Sequence, residues 1–247
     1  MSAEELQSYA DIDPGILTPN MLPSDIRNCF YDHDISILTA GLGGATGSKG
    51  IKLFSSASRK MSRGSISIVS MPFSVESENR RKTARETLND LTNRSDLIIC
   101  LENDKLKKLV PNMTFDKAFK VMNAILERPV IDLSRVMQES DIKSLKGNAG
   151  SGLIFSLGVG LGVGFERDLI AIREAFDSPW LDFELDSVES ALMIVSSKQS
   201  DKAEISGIAK EMRARVPNAN IIFGSYEDQN LVDKLRLSIL LSRRLSA

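Results

Sequence analysis

The run Ala40-Gly41-Leu42-Gly43-Gly44-Ala45-Thr46-Gly47-Ser48 offers the clearest chemistry in this sequence. It follows the apolar run Ile35 to Ala40. Glycines let a backbone turn tightly and bring successive N–H groups close to a ligand, and a nest of such donors ahead of a helix suits phosphate oxygens. No Gly-Lys-[Ser/Thr] closes the run and it lacks the GxGxxG spacing, so neither a Walker loop nor a dinucleotide turn is present. A plain glycine-rich turn is the alternative. A second glycine series, Gly158 to Gly164, alternates with apolar residues and reads as a bulged strand.

Other chemistries are poorly supplied. The single histidine, His33, provides neither a His-rich metal site nor an identifiable triad, and no metal site is expected. Two cysteines, Cys29 and Cys100, are too few for a disulfide framework and fit a reducing compartment. A net charge of -2 gives no reason to expect nucleic acid as partner. The cluster Lys105, Lys107 and Lys108 reads as a solvated helix face. The start is acidic and unlike a secretory signal, and no apolar run approaches the roughly 20 residues of a spanning helix. The expectation is a cytoplasmic protein without direct membrane insertion.

Around the glycine run, strands and helices alternate. Residues 1–34 carry Pro14, Pro19 and Pro23 and read as an irregular lead-in or short helix pieces. Strands are expected at 35–40, 66–71 and 97–101, with a helix stripe Ala84, Leu88, Leu91 between the last two. Helical spacing resumes at Asp116 and continues through Ala118, Phe119, Met122 and Leu126, until Pro129 interrupts or kinks it. This pattern predicts a doubly wound parallel sheet over 35–128 and an exit segment over 129–141. Over 142–247, strands at 191–195, 219–224 and 235–241 mix with helix stripes ending at Phe176 and Val216, predicting an α+β domain with a mixed sheet. The fold class is α/β.

The glycine run resembles the signature loop of the tubulin/FtsZ family, which wraps the phosphates of GTP. Further stretches are similar to FtsZ in the same order: Pro72-Phe73-Ser74-Val75-Glu76 with Arg80, Asn103-Asp104-Lys105-Leu106, Ala118-Phe119 with Asn123, Asn148-Ala149-Gly150-Ser151, Ser178-Pro179-Trp180-Leu181 and Ala219 to Gly224. The resemblance implies a tubulin/FtsZ-type fold in which Gly43, Gly44, Ala45, Thr46, Gly47 and Ser48 meet phosphates. It implies further that Glu76 meets the ribose, Arg80 the base side of the pocket, Asn103 the nucleotide, and Phe119 and Asn123 the guanine. GTP/GDP, with or without Mg2+, is the implied cofactor. Read without the resemblance, Glu76 and Arg80 are an i, i+4 helix pair, Asn103 a turn residue and Phe119 core.

Departures from the family pattern set the functional expectation. Nothing upstream of Ile35 resembles the strand, glycine-rich turn and helix with which FtsZ opens, so the front of the nucleotide domain is expected to be missing. Ala45 and Lys49 replace signature glycines, at an expected cost if Ala45 needs a positive φ. The loop that carries Asn-x-Asp-Phe-Ala-Asp in FtsZ is shorter here and keeps only Asp141, the one residue to carry over as catalytic, acting on a neighbouring subunit's nucleotide. The expectation is weak guanine-nucleotide binding with degenerate GTPase activity, in a division or cytoskeletal protein. A partner that caps filaments of a full-length FtsZ, and an ordinary polymer-forming GTPase, are the alternatives. Partners are self or full-length FtsZ by head-to-tail contact. An exposed sheet edge is expected, covered by residues 1–34 or a second chain.

Overall fold

The computed structural model describes residues 17–31, 33–109, 114–147, 153–199 and 201–243. In chain order the elements are α1 (Ser24–Phe30), β1 (Ile35–Gly41), α2 (Ala45–Met61), β2 (Gly64–Met71), α3 (Glu78–Leu91) and β3 (Leu97–Glu102). A short turn of 3-10 helix leads into α4 (Leu106–Leu109), followed by α5 (Phe115–Val136) and α6 (Glu139–Lys146). The second half holds β4 (Ile154–Val163), α7 (Arg167–Phe176), β5 (Ser190–Ser197), α8 (Lys202–Arg215), β6 (Asn220–Glu227) and β7 (Lys234–Arg243).

The strands form one seven-stranded sheet in the order β1-β2-β3-β4-β7-β5-β6. The first three run parallel. In β2 every residue but the last is buried, as befits a parallel strand covered on both faces. On one face Ile51 of α2 and Ala84, Leu88 and Leu91 of α3 pack on Val69 and Ile98. On the other, Met122 and Leu133 of α5 and Ile142 of α6 cover Ile66, Ile68 and Ile99. The second set is mixed, with β7 antiparallel to both β4 and β5. Among the described residues, strand pairing between the two sets is confined to Ile98–Ile154 and Ile99–Phe155. Those side chains belong to the same cores, so the two regions expected as separate domains share a sheet and its hydrophobic layers.

Two sequence expectations need correction. Pro129 does not end the helix: α5 runs 22 residues through it to Val136. A proline removes one helix hydrogen bond, but the residues beyond it are held by packing, with Leu133 and Asp132 fully buried. The glycine series in β4 is not bulged either, since Ile154 to Val163 pair one-to-one with Arg243 to Lys234. The glycines are needed because α7 lies directly on the strand. A Cβ at Gly158, Gly160 or Gly162 would overlap the carbonyl oxygen of Ala175, Ala171 or Arg167 in turn. Every second strand residue thus meets every fourth helix residue, the two repeats being nearly equal in length.

Leu17, Leu22 and Phe30 pack against Leu53 and Ala57 of α2. The described part of the lead-in therefore covers a helix, and the outer edge of β1 has no strand partner among the described residues. Also among the described residues, no helix is long and apolar enough to cross a membrane, and no cluster of three or more His, Cys, Asp or Glu could hold a metal ion.

Candidate nucleotide site

The carboxyl ends of β1, β2 and β3 converge, the usual ligand position of an open parallel sheet. From β1 the chain passes through Leu42, which is buried and donates its N–H to the Ser70 carbonyl (2.9 Å), into Gly43 at φ +93°. Gly44 is the N-cap of α2 and offers no side-chain cap, and the first turn contains no acidic residue. The N–H groups of Ala45, Thr46 and Gly47 therefore lie in the first helical turn, which has no carbonyl partners of its own and a positive dipole end. Ser48 is buried and its Oγ accepts from the Gly43 N–H (2.9 Å), closing the loop on itself rather than facing outward. Gly47 is obligatory, because a Cβ there would overlap the Gly41 carbonyl oxygen.

The expected strain at Ala45 is absent. Glu166 and Asp233 are the positive-φ residues other than glycine among those described, and Ala45 is an ordinary first helical residue. Only Gly43 bears the left-handed conformation in this loop, which is why Ala45 and Lys49 fit where the family signature has glycine.

Arg80, in the first turn of α3, stands against the loop. A Cβ on Gly43 would lie 2.7 Å from the Arg80 carbonyl oxygen, and one on Gly44 would lie 3.7 Å from its Nη2. The Arg80 guanidinium is paired with Glu76 (2.9 Å), whose other oxygen accepts from the Phe73 N–H (2.8 Å). The i, i+4 pairing is thus real, and it sits beside the glycine loop. Phe73 meets Phe119 of α5 edge-on, with ring centroids 5.6 Å apart at 88°. Phe119 remains 46% exposed, so part of its ring is free to stack, and Asn123 is exposed one turn further along.

Asn103 follows β3 in the short 3-10 turn. It is buried, and its Oδ1 has no hydrogen-bond partner. Buried acceptors are ordinarily satisfied, so this oxygen is an unmet acceptor at the carboxyl end of β3. The neighbouring Asp104 ties the turn to the loop after β2 by accepting from the N–H (2.8 Å) and hydroxyl (3.0 Å) of Ser74. Partial burial pushes its pKa upward, yet the hydrogen bonds from Lys107 and Ser74 outweigh this and hold it below the ordinary value. Phe73 and Asp104 are contacts that the sequence reading assigns no role. The signals that point to them are an aromatic three residues before Glu76 and a carboxylate next to Asn103.

Asp141 lies elsewhere. It is the third residue of α6, and its carboxylate accepts from the Gln138 N–H (2.8 Å) in a reciprocal capping box. Ile142 of the same helix packs against Gly64, the first residue of β2, so Asp141 sits at the opposite end of the strands from the glycine loop. Residues 148–151 lie outside the described residues. Trp180 is buried and donates from Nε1 to the Glu102 carbonyl (3.0 Å), while Lys105 and Lys108 bond Asp182 (3.0 and 2.8 Å). These contacts clamp the two halves together.

Residues 20–111 match the sequence model of the Tubulin/FtsZ family, GTPase domain, and residues 154–243 match that of the FtsZ family, C-terminal domain. The chain belongs to the tubulin/FtsZ family. It is 30% identical over 231 residues to the cell division protein FtsZ of Methanothermobacter thermautotrophicus, covering 88% of this chain and 59% of that protein. The mitochondrial division protein fszA of Dictyostelium discoideum is 28% identical, with 88% and 44% covered. The chain therefore spans about three-fifths or less of the length of these relatives. Among solved structures, the empty FtsZ dimer of M. jannaschii superposes with a TM-score of 0.78 at 28% identity, covering 89% of this chain and 66% of that one. The GDP-bound CetZ1 of Haloferax volcanii shares the fold, with a TM-score of 0.71 at 19% identity and 97% and 71% covered.

Proposed function

We propose that this tubulin/FtsZ-family chain binds guanine nucleotide weakly and hydrolyses it slowly or not at all. The observation that carries the reading is the contact path Arg80–Glu76–Phe73–Phe119, whose Arg80 end stands against the glycine loop at the uncapped start of α2. The α2 N-terminus suits phosphate, Glu76 suits hydroxyl or N–H donors, and the free part of Phe119 suits a base; Asn103 is the candidate nucleotide contact from the turn after β3. Asn123 is the candidate reader of the guanine edge. The described residues hold no carboxylate cluster for Mg2+; phosphate oxygens and water would hold the ion, as is usual for Mg2+ on nucleotides.

No second phosphate-binding loop faces the first among the described residues, which favours a Kd between micromolar and millimolar (about -8 to -4 kcal/mol). Asp141 is the candidate catalytic residue, acting on the nucleotide of a neighbouring subunit. Its position at the far end of the strands from its own site agrees with action in trans. Calorimetry with GTP and ATP tests the reading. The expected result is measurable GTP binding and weaker ATP binding; equal affinity, or none at millimolar nucleotide, refutes it.

A second reading follows from the contrast between an open nucleotide face and a continuous C-terminal sheet. The chain would dock head-to-tail on a complete FtsZ and modulate its filaments while polymerising poorly alone. Sedimentation of FtsZ with sub-stoichiometric added chain should lose pelleted mass. Unchanged mass at equimolar protein would reject this role.

A further inference from the structure

The last third of α5 carries a buried carboxylate that the nucleotide site does not use. Asp132 is 1% exposed. Its Oδ1 accepts from the Tyr226 hydroxyl (2.7 Å) and from Arg128 one turn earlier, and its Oδ2 accepts from the Ser238 hydroxyl (2.5 Å). Tyr226 belongs to β6 and Ser238 to β7, at separations of 94 and 106 residues from Asp132. One carboxylate therefore ties the helix to two strands of the C-terminal sheet. Gly224, on the Tyr226 face of β6, lets α5 approach closely, since a Cβ there would lie 2.8 Å from that of Val136.

A buried carboxylate with all its donors in place tolerates little movement, because any slide or roll of the helix leaves charge unpaired in a low dielectric. Apolar contacts alone would permit such motion more readily. Burial, and then the Asp132 interaction, push the Tyr226 phenol upward, keeping it a donor. For Arg128, burial works against the charge, but the Asp132 bond outweighs it. The opposite half of α5 carries Phe119 and Asn123, the latter about 13 Å along the axis from Asp132 at 1.5 Å per residue.

We propose that Asp132 is a positioning residue: through Tyr226, Ser238 and Arg128 it fixes the register of α5 on the C-terminal sheet, and so the placement of Phe119 against Phe73 and of Asn123 one turn beyond it. The ligand-binding consequence rests on the nucleotide reading above; the fixed register does not.

The test combines hydrogen exchange over residues 115–127 with GTP calorimetry, on the full chain and on Asp132→Asn and Tyr226→Phe. Tyr226→Phe keeps the ring and removes only the hydroxyl, so it remains informative if Asp132→Asn fails to fold. In each folded variant, exchange over 115–127 should rise about tenfold, as expected of a locally loosened helix, and GTP affinity should fall severalfold. If only the melting temperature falls, with exchange over 115–127 and affinity unchanged, Asp132 is a stability residue and the proposal is wrong. Should the unmodified chain bind no GTP, the nucleotide reading fails by itself. The exchange result then decides the register, unchanged protection refuting it and raised exchange supporting it.

Discussion

Replacing Gly43 by alanine, with Gly44→Ala as its partner experiment, separates backbone geometry from mere glycine content in the candidate loop. Gly43 sits at φ +93°, where a Cβ would also lie 2.7 Å from the Arg80 carbonyl oxygen. The left-handed conformation costs alanine about 1–2 kcal/mol, and crowding a backbone oxygen adds about 1 kcal/mol or more. Restricting the unfolded chain returns about 0.4–1 kcal/mol. The net loss is about 1–3 kcal/mol, a fall in Tm of roughly 2–6 °C for a chain of this size. Gly44 has φ -91° and its nearest foreign atom, Arg80 Nη2, would be 3.7 Å from a Cβ. Gly44→Ala should therefore change stability by no more than about 0.5 kcal/mol, because the weaker N-cap preference of alanine is offset by the same restriction of the unfolded chain. Thermal melts followed by circular dichroism, with GTP calorimetry on both variants, give the comparison. Relief of the clash must move the loop against Arg80, so Gly43→Ala should also lose nucleotide affinity. Equal losses in both variants, or a neutral Gly43→Ala, would refute the geometric argument.

Thiol chemistry and acid titration give two further checks. Cys29 is exposed, whereas Cys100 is buried and its pKa is raised to about 12 chiefly by desolvation. A thiol reagent should therefore modify one cysteine quickly in the folded chain and the second only on unfolding; two fast thiols would contradict the packing of β3. Asp182 is held down at about 2, first by the Lys108 hydrogen bond and then by that of Lys105. A carboxylate depressed in the folded state stabilises above its unfolded pKa, and that contribution disappears as pH falls through the folded value. The clamp between Asp182 and the two lysines should thus be intact above about pH 4 and lost towards pH 2. Carboxyl NMR should place the Asp182 midpoint near 2, and an ordinary midpoint would remove the clamp from solution.

The sequence by itself determined the order of the strands and of most long helices, the glycine loop after β1 and the family, but not α6, which falls across the end of the expected exit segment. These are local or linear properties: strand runs, helix stripes and motifs are written in neighbouring residues. Phe119, Glu76 and Arg80 each carried two readings, and only the fold showed that the ion pair and the aromatic contact form one path to the loop. Gly158, Gly160 and Gly162 looked like a bulge because their reason lies in α7, which sequence cannot place against the strand. Pro129 looked like a stop because a local rule says so, whereas Leu133 and Asp132 beyond it are held by β6, β7 and the core. The Asp132 network was invisible for the same cause. Its members lie about a hundred residues apart, and a buried charge is recognisable only once the chain has brought its donors together.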